Sequence, residues 1–420
     1  MTNETYKRNA ILVIGGGMAG ITAAIEVAEA GYQVYLVERE PYLGGRVVRI
    51  NQYFPKLCPP TCGMEINFKR IKNNQRITFY TMAEVTGISG NEGDYEVNVR
   101  INPRYVNERC TCCGKCGQVC EREIPNPFNY GMDSVKAAYL PHEMAFPMRY
   151  VLAPEIIGTD DGKKCQEACE YGAIELDMAQ KTIELKVASI IVATGWEPYD
   201  ASNIDNLGFG EVQNLITNVM MERLGAPNGP TGGRIIRPSD GKEVKSIAFC
   251  QCAGSRDENH LSFCSSVCCL ASLKQARFVR QQYPESKVYI FYIDLRAFGR
   301  NEDFLSGTEM DENIRMIKGK AAKITEDPDT KDVIVEAEDI AAGSISRVKV
   351  DMAVLATGMV PSSAKEKISG ITDNLDESGF MLDAPGIYSA GCVKRPLDVS
   401  VTVQSATSAA LKAIQSAVRR

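Results

Sequence analysis

Apolar runs broken by glycines set the pattern of this chain. Ala10–Ile14 (AILVI) is continuously apolar, as expected of a parallel strand buried on both faces. After a glycine-rich turn, Ile21–Ala30 repeats its apolar residues at helical spacing, and Gly31 can end that helix. Gln33–Val37 reads as a second strand, completing a βαβ unit. Residues 77–100 alternate in the manner of antiparallel strands. Periodicity then fades over 104–175, where Cys, Pro, Asn and Met are frequent, which predicts a small inserted module. Strands return at 180–195. The Gly/Pro/Asn-rich stretch 200–245 reads as a long connection or surface excursion. A second α/β unit is predicted from Ser246–Cys250 through a helix near Leu270–Gln282 to a strand at Val288–Ile293. Residues 350–358 and 386–391 read as further strands, and Val401–Val418 as a long closing helix.

The 420 residues suffice for two or three domains with buried cores. A net charge of −6 argues against a nucleic-acid binder, which would show a basic face. Met1–Asn9 is polar, so no secretory leader is expected, and no apolar run is long enough to predict a membrane-spanning helix. The fifteen cysteines cluster at ligand-like intervals, which favours metal centres in a reducing, cytoplasmic setting over disulfides. With only His142 and His260 present, centres built on several histidines are unattractive.

Gly15, Gly17 and Gly20 form G-x-G-x-x-G, with Gly16 a further glycine, in a loop that follows the predicted strand and opens the predicted helix. Such glycines permit a tight turn and close approach to a pyrophosphate, whose charge the helix N-terminus attracts. Glu38 ends the second strand, where its carboxylate can accept hydrogen bonds from a ribose. The βαβ context and the acid lift this loop above a bare glycine motif.

Cys110, Cys113, Cys116 and Cys120 have the spacing C-x2-C-x2-C-x3-C of a low-potential 4Fe–4S loop. In two-cluster ferredoxins the fourth cysteine of a run serves the other cluster. Cys165 and Cys169 look like the end of a second run that lacks its first two cysteines. Two assignments follow for the fourth ligand: Cys169 by the crossed pattern or Cys120 by the direct one. Cys112 breaks the pattern. The second α/β unit has no glycine loop at its strand end. It offers Cys250, Cys252, Ala253 and Gly254, and then Cys264, Cys268 and Cys269. Cys252, Cys264, Cys268 and Cys269 can ligate a second 4Fe–4S cluster, the plain alternative being buried free thiols. Cys58 and Cys62 are a C-x3-C pair, read as a redox dithiol, a ligand pair or a loop.

Glu38 with Gly44, Gly45 and Arg46 makes E-x5-GGR, which resembles the second signature of two-dinucleotide flavoproteins. Thr194–Gly195 and Thr357–Gly358 look like their ATG strands, and GIYSAGC, ending in Gly391–Cys392, resembles their late ribityl motif with Cys in place of Asp. Together with CAGSRD…FCSSVCC, these stretches resemble the A-type polypeptide of heterodisulfide reductase across residues 8 to 420. Within that family the chain is most similar to the short A-type polypeptides of quinone-interacting membrane-bound oxidoreductase complexes. The resemblance implies an α/β two-dinucleotide-binding-domain flavoprotein, thioredoxin or glutathione reductase-like, with an inserted ferredoxin-like module. Its segments would be 1–103, first part of the FAD domain; 104–178, the insert; 179–245, FAD-domain return and connection; 246–350, an NAD-domain-like unit with a cysteine cluster; and 351–420, the last FAD part. It implies FAD held by Gly15, Gly16, Gly17, Ala19, Gly20, Glu38, Arg39, Gly44, Gly45, Arg46, Val85, Thr194, Gly195, Gly391 and Cys392, and one or two 4Fe–4S clusters. It further implies an electron-transfer subunit that passes electrons between menaquinone and adenylylsulfate reductase, converting or splitting electron pairs. Its partners would be a second subunit carrying flavin and iron–sulfur clusters, with a membrane haem b subunit through which the chain sits peripherally at the cytoplasmic membrane. Two other expectations stand beside this one: a soluble heterodisulfide-reductase-type module serving a hydrogenase or other dehydrogenase, and a mainly scaffolding role.

Overall fold

The computed structural model describes residues 9–371 and 373–418. The chain forms two compact units, one of Met1–Arg49, Thr61–Trp196 and Pro361–Arg420, the other of Ile50–Pro60 and Glu197–Val360.

The first unit is built on a five-stranded parallel sheet in the order Ile387–Ser389, Ser189–Val192, Ile11–Ile14, Val34–Val37, Ile77–Tyr80. Ile11–Ile14 is buried throughout, because both faces of the sheet are covered. On one face lie the helices Met18–Glu29 and Val399–Val418. Ala406, Ala409, Ala410, Ala413 and Ala417 fall at helical spacing along the latter and are buried, and such small side chains let helices approach closely. The other face is covered by the antiparallel strands Ala83–Asn91, Asp94–Ile101 and Lys181–Val187.

Ile77–Tyr80 departs from expectation. It runs parallel to Val34–Val37 because the helix Thr61–Asn73, which buries Met64, Phe68 and Ile71 at helical spacing, forms the crossover between them. Within this unit the cysteine-rich stretch forms short helices, Lys115–Val119 and Asp160–Glu167, and two small hairpins around a local core of Val106, Cys116, Cys120, Leu152, Ile156, Cys165 and Ile174.

The second unit repeats the plan. Its parallel sheet runs Leu215–Thr217, Met352–Thr357, Ser246–Ala253, Lys287–Tyr292, Ile314–Lys318, with the antiparallel strands Ala321–Glu326, Val333–Asp339 and Ser344–Val350 beside it. Three expected boundaries move. Residues 197–245 are not a return of the first domain or a surface excursion: Leu215–Thr217 is a buried strand and Asn218–Leu224 a largely buried helix. Residues 351–360 belong to this unit because Met352–Thr357 is hydrogen-bonded between two of its strands. Residues 50–60 also join it. The Asn51 amide donates to Glu222 at 2.9 Å, and Lys274 Nζ donates to the Gln52 carbonyl at 2.8 Å while pairing with Glu222 at 2.9 Å in a buried ion pair.

Candidate flavin loop and cysteine sites

At the first βα turn the glycines are sterically required. A Cβ on Gly15 (φ +101) would lie 2.4 Å from the Ala193 carbonyl oxygen, and one on Gly20 would lie 1.8 Å from that of Gly15. The helix Met18–Glu29 starts at Gly17 without a side-chain cap, so the N–H donors of its first turn remain available to an anion. The second signature joins directly: the Gly44 amide donates to the Gly16 carbonyl at 2.7 Å, and a Cβ on Gly45 (φ +56) would meet Gly17 Cα at 2.8 Å. Glu38 is buried and accepts the amides of Gly16 at 2.6 Å and Glu40 at 2.7 Å. A carboxylate offers about four acceptor sites, so two remain for ribose hydroxyls. Burial pushes Glu38 up to about 7, against the pull of those two amides. The cradle fits a flavin dinucleotide.

Most of the other expected flavin residues lie around this loop. Gly391 (φ +72) abuts Ala19, with 2.8 Å between a built Cβ and that of Ala19. Thr194 accepts from the Ser362 hydroxyl at 2.7 Å, and the Gly195 carbonyl accepts the Ser362 amide at 3.2 Å. Cys392 Sγ donates to the Leu397 carbonyl at 3.4 Å, and burial raises its pKa. Arg46 donates to the Trp196 carbonyl at 2.6 Å and to the Tyr130 hydroxyl at 3.2 Å, and its guanidinium lies over the Trp196 ring. Two residues stand apart. Arg39 is exposed and pairs with Glu366, and the Val85 side chain is spent in the core beneath the antiparallel sheet. Trp196, Tyr130 and Ser362 escape motif reading, although the one tryptophan of the chain, directly after an ATG strand, was a usable signal.

In the insert, Cys110, Cys113, Cys116 and Cys169 line one pocket, together with Gly114, Tyr150, Tyr171 and Ile174. The chain reaches this arrangement by turning at Cys112 (φ 57) and Gly114 (φ +82). The Ala173 amide donates to Cys169 Sγ at 3.3 Å, the kind of N–H···S bond that supports a thiolate ligand. Cys120 does not line that pocket. It is buried and is a hydrogen-bond partner of Cys165, whose thiol also donates to the Cys116 carbonyl at 3.4 Å. Burial pushes Cys116 and Cys165 up to about 12. Metal-free, these thiols stay protonated, and metal binding would replace the proton.

In the second unit, Cys252, Cys264, Cys268 and Cys269 are electrostatic neighbours. Cys252 sits at the end of the strand Ser246–Ala253 with φ 58, where the sheet register slips, and Cys268 and Cys269 open the helix Cys268–Gln282. Residues 254–267 replace the tight turn, and the Ser266 amide donates to Cys264 Sγ at 3.3 Å. Arg256 hydrogen-bonds Cys252 and pairs with Asp294. Burial raises the Cys268 thiol well above its ordinary range. Cys250 differs: it is pushed up to about 12 by burial alone and packs in the apolar core. Among the described residues no three Cys, His, Asp or Glu side chains converge on a single-ion site. A 4Fe–4S cluster asks for something else, one thiolate per iron around a cavity, and the insert places four cysteines on the lining of one pocket. Cys58 and Cys62 are both exposed, Cys58 in the second unit and Cys62 on the helix Thr61–Asn73 of the first.

A family model described as FAD dependent oxidoreductase matches residues 10–68. Among solved structures, thioredoxin reductase of T. acidophilum superposes with a TM-score of 0.54 at 14% identity, covering 97% of this chain and 98% of that one. Bacillithiol disulfide reductase of Bacillus cereus gives 0.53 at 12%, covering 98% and 99%. At such identity the likeness concerns the fold alone. Fold and first glycine loop together define the class: the chain has the two-dinucleotide-binding-domain flavoprotein fold, and its first βαβ segment is similar to FAD dependent oxidoreductases. Within that class its homologues are the A-type iron–sulfur polypeptides of heterodisulfide reductase. It is 39% identical over 435 residues to the first A-type iron–sulfur polypeptide of CoB–CoM heterodisulfide reductase from Methanopyrus kandleri, covering 98% of this chain and 64% of the relative. To the A-type polypeptide of the H2:CoB-CoM heterodisulfide,ferredoxin reductase of Methanothermobacter thermautotrophicus it is 36% identical over 419 residues, covering 96% and 63%. The chain thus spans under two thirds of the length of these relatives. Among the described residues no helix is long and apolar enough to cross a membrane.

Proposed function

We propose that this chain is an electron-transfer subunit of the heterodisulfide reductase A type, with FAD at the first glycine loop and 4Fe–4S clusters at two cysteine sites. The observation that carries this is the insert pocket, where Cys169 comes from a distant segment to join Cys110, Cys113 and Cys116. These four are read as one ligand set, and Cys252, Cys264, Cys268 and Cys269 as the other. When bound, a flavin exchanges electron pairs and clusters pass single electrons, so the chain would convert or split pairs. The protein's own part is to hold the dinucleotide against the N–H donors at residues 15–20, orient its ribose on Glu38, and keep the buried thiolates from water.

The second βα turn has no G-x-G-x-x-G loop and carries Cys268 and Cys269 where its helix opens, so NADH and NADPH should leave the flavin oxidised. Anaerobic mixing tests this: no bleaching by either, with a dithionite-reduced cluster signal by EPR, is expected, and rapid bleaching by NADPH would overturn the reading. The finer proposal places the chain peripherally at the cytoplasmic membrane, between menaquinone and adenylylsulfate reductase. Its neighbours there would be a second flavin- and cluster-bearing subunit, with a membrane haem b subunit beneath. The support is the similarity to short A-type polypeptides of quinone-interacting complexes. The homologues favour a second reading, a module coupled to a hydrogenase or ferredoxin, since one of them belongs to an H2:CoB-CoM heterodisulfide,ferredoxin reductase. Co-purification of the chain's partners separates the two.

A further inference from the structure

Arg104 stands at the entrance to the insert and is only 5% exposed. Its hydrogen bonds go to carbonyl oxygens: that of Arg149 at 3.0 Å, that of Tyr150 at 3.4 Å and that of Pro41. Carbonyls solvate a guanidinium but do not neutralise it, and a buried unpaired charge is costly. Burial draws Arg104 down to about 10, still far above neutrality, so it stays charged. Among the described residues no carboxylate forms an ion pair with it. Its titratable neighbours are Arg149, Tyr139, Cys110 and Cys112. Tyr150, whose carbonyl it holds, lines the cysteine pocket. The other guanidinium nearby, Arg149, already has Glu108 at 3.1 Å. Arg104 is thus a buried guanidinium without a carboxylate partner, anchored to the backbone of a residue that lines the cysteine pocket.

We propose that Arg104 sets the reduction potential of the insert cluster, as the buried cation that offsets the negative charge the cluster gains on reduction. This rests on the reading that Cys110, Cys113, Cys116 and Cys169 hold a 4Fe–4S cluster. Four thiolates make such a centre anionic, and one added electron makes it more so. A cation fixed beside it in a low dielectric favours the reduced form and raises the potential. Arg104 is a positioning residue here, since it acts through the field and touches no reacting atom.

EPR-monitored redox titration of the full chain tests it, comparing wild type, Arg104→Met and Arg104→Lys. Arg104→Met should lower the reduction equilibrium constant of the insert cluster at least tenfold, about 59 mV for one electron. Arg104→Lys should keep most of the wild-type potential. Equal shifts in both, or no shift in Arg104→Met with full iron, would overturn the proposal. If Arg104→Met loses iron, Arg104→Gln, which can still donate to the carbonyls, takes its place. Loss of iron in both uncharged variants with FAD retained would make Arg104 a loop anchor and end the inference. Failure of the cluster reading itself looks different: wild type and Cys113→Ser would then carry the same iron.

Discussion

Two βα turns occupy the same place in two units of the same plan, and they have become chemically opposite. Both follow the central strand of a five-stranded parallel sheet and lead into a long helix. In the first unit the turn is short, residues 15–17, and glycines let backbone meet backbone. In the second the turn spreads over residues 254–267, and thiols sit at the strand end, in the turn and on the first turn of the helix. The first arrangement offers N–H donors suited to an anion, whereas the second offers thiols, the soft ligands that the proposed cluster would need. If the proposed cluster sits there, one topology has exchanged a nucleotide site for a metal site by rebuilding a single turn on an unchanged parallel sheet.

The largest effect that can break this contrast is at Gly20. Gly20→Val places a side chain 1.8 Å from the Gly15 carbonyl oxygen and should destabilise the first unit by about 3 kcal/mol while abolishing FAD binding. Stoichiometric FAD in that variant would show that the loop is not the cradle. Within the insert, Cys169→Ala should remove about four irons and Cys120→Ala about none, because Cys169 and not Cys120 lines the pocket. The reverse pattern in iron analysis would assign the direct ligand set instead.

A smaller effect concerns pH. Glu38 titrates near 7 rather than 4.5, since burial disfavours its charge. In FAD-free protein its contribution to stability is complete below pH 4.5 and is lost as pH rises through about 7, worth at most on the order of 3 kcal/mol. FAD should follow the opposite course, because the ribose needs the carboxylate, so its affinity should weaken as pH falls from about 8 to about 6. Glu38→Gln should flatten both profiles in melting and flavin-fluorescence titrations, and unchanged slopes would remove Glu38 from the site. The smallest effect is at Cys250, a core thiol: Cys250→Ala should cost about 1 kcal/mol and leave iron content unchanged.

Much of the frame was legible in the sequence for a physical reason. Strands buried on both faces, such as Ile11–Ile14 and Met352–Thr357, are apolar runs whose identity depends on nothing distant. Leu215–Thr217 and Asn218–Leu224 were hidden because a strand that short has no period to show, and the helix buries Asn218, Glu222 and Arg223 in polar contacts. Ownership of residues 351–360 depended on strand pairing, which lies between segments and not within one. The cysteines behaved likewise. Spacing nominated Cys110, Cys113 and Cys116, but the proposed choice of Cys169 over Cys120 rests on which of them lines the pocket, which spacing alone does not carry. Arg104 carried no motif, and only its burial without a carboxylate partner marks it.

The most direct test of the exchange between the two turns is iron, acid-labile sulfide and FAD per chain, measured anaerobically for wild type and Cys268→Ser. With clusters at both cysteine sites, wild type should hold one FAD and about eight irons, and Cys268→Ser one FAD and about four. Equal iron in the two proteins, with FAD present, would contradict a metal site at the second turn.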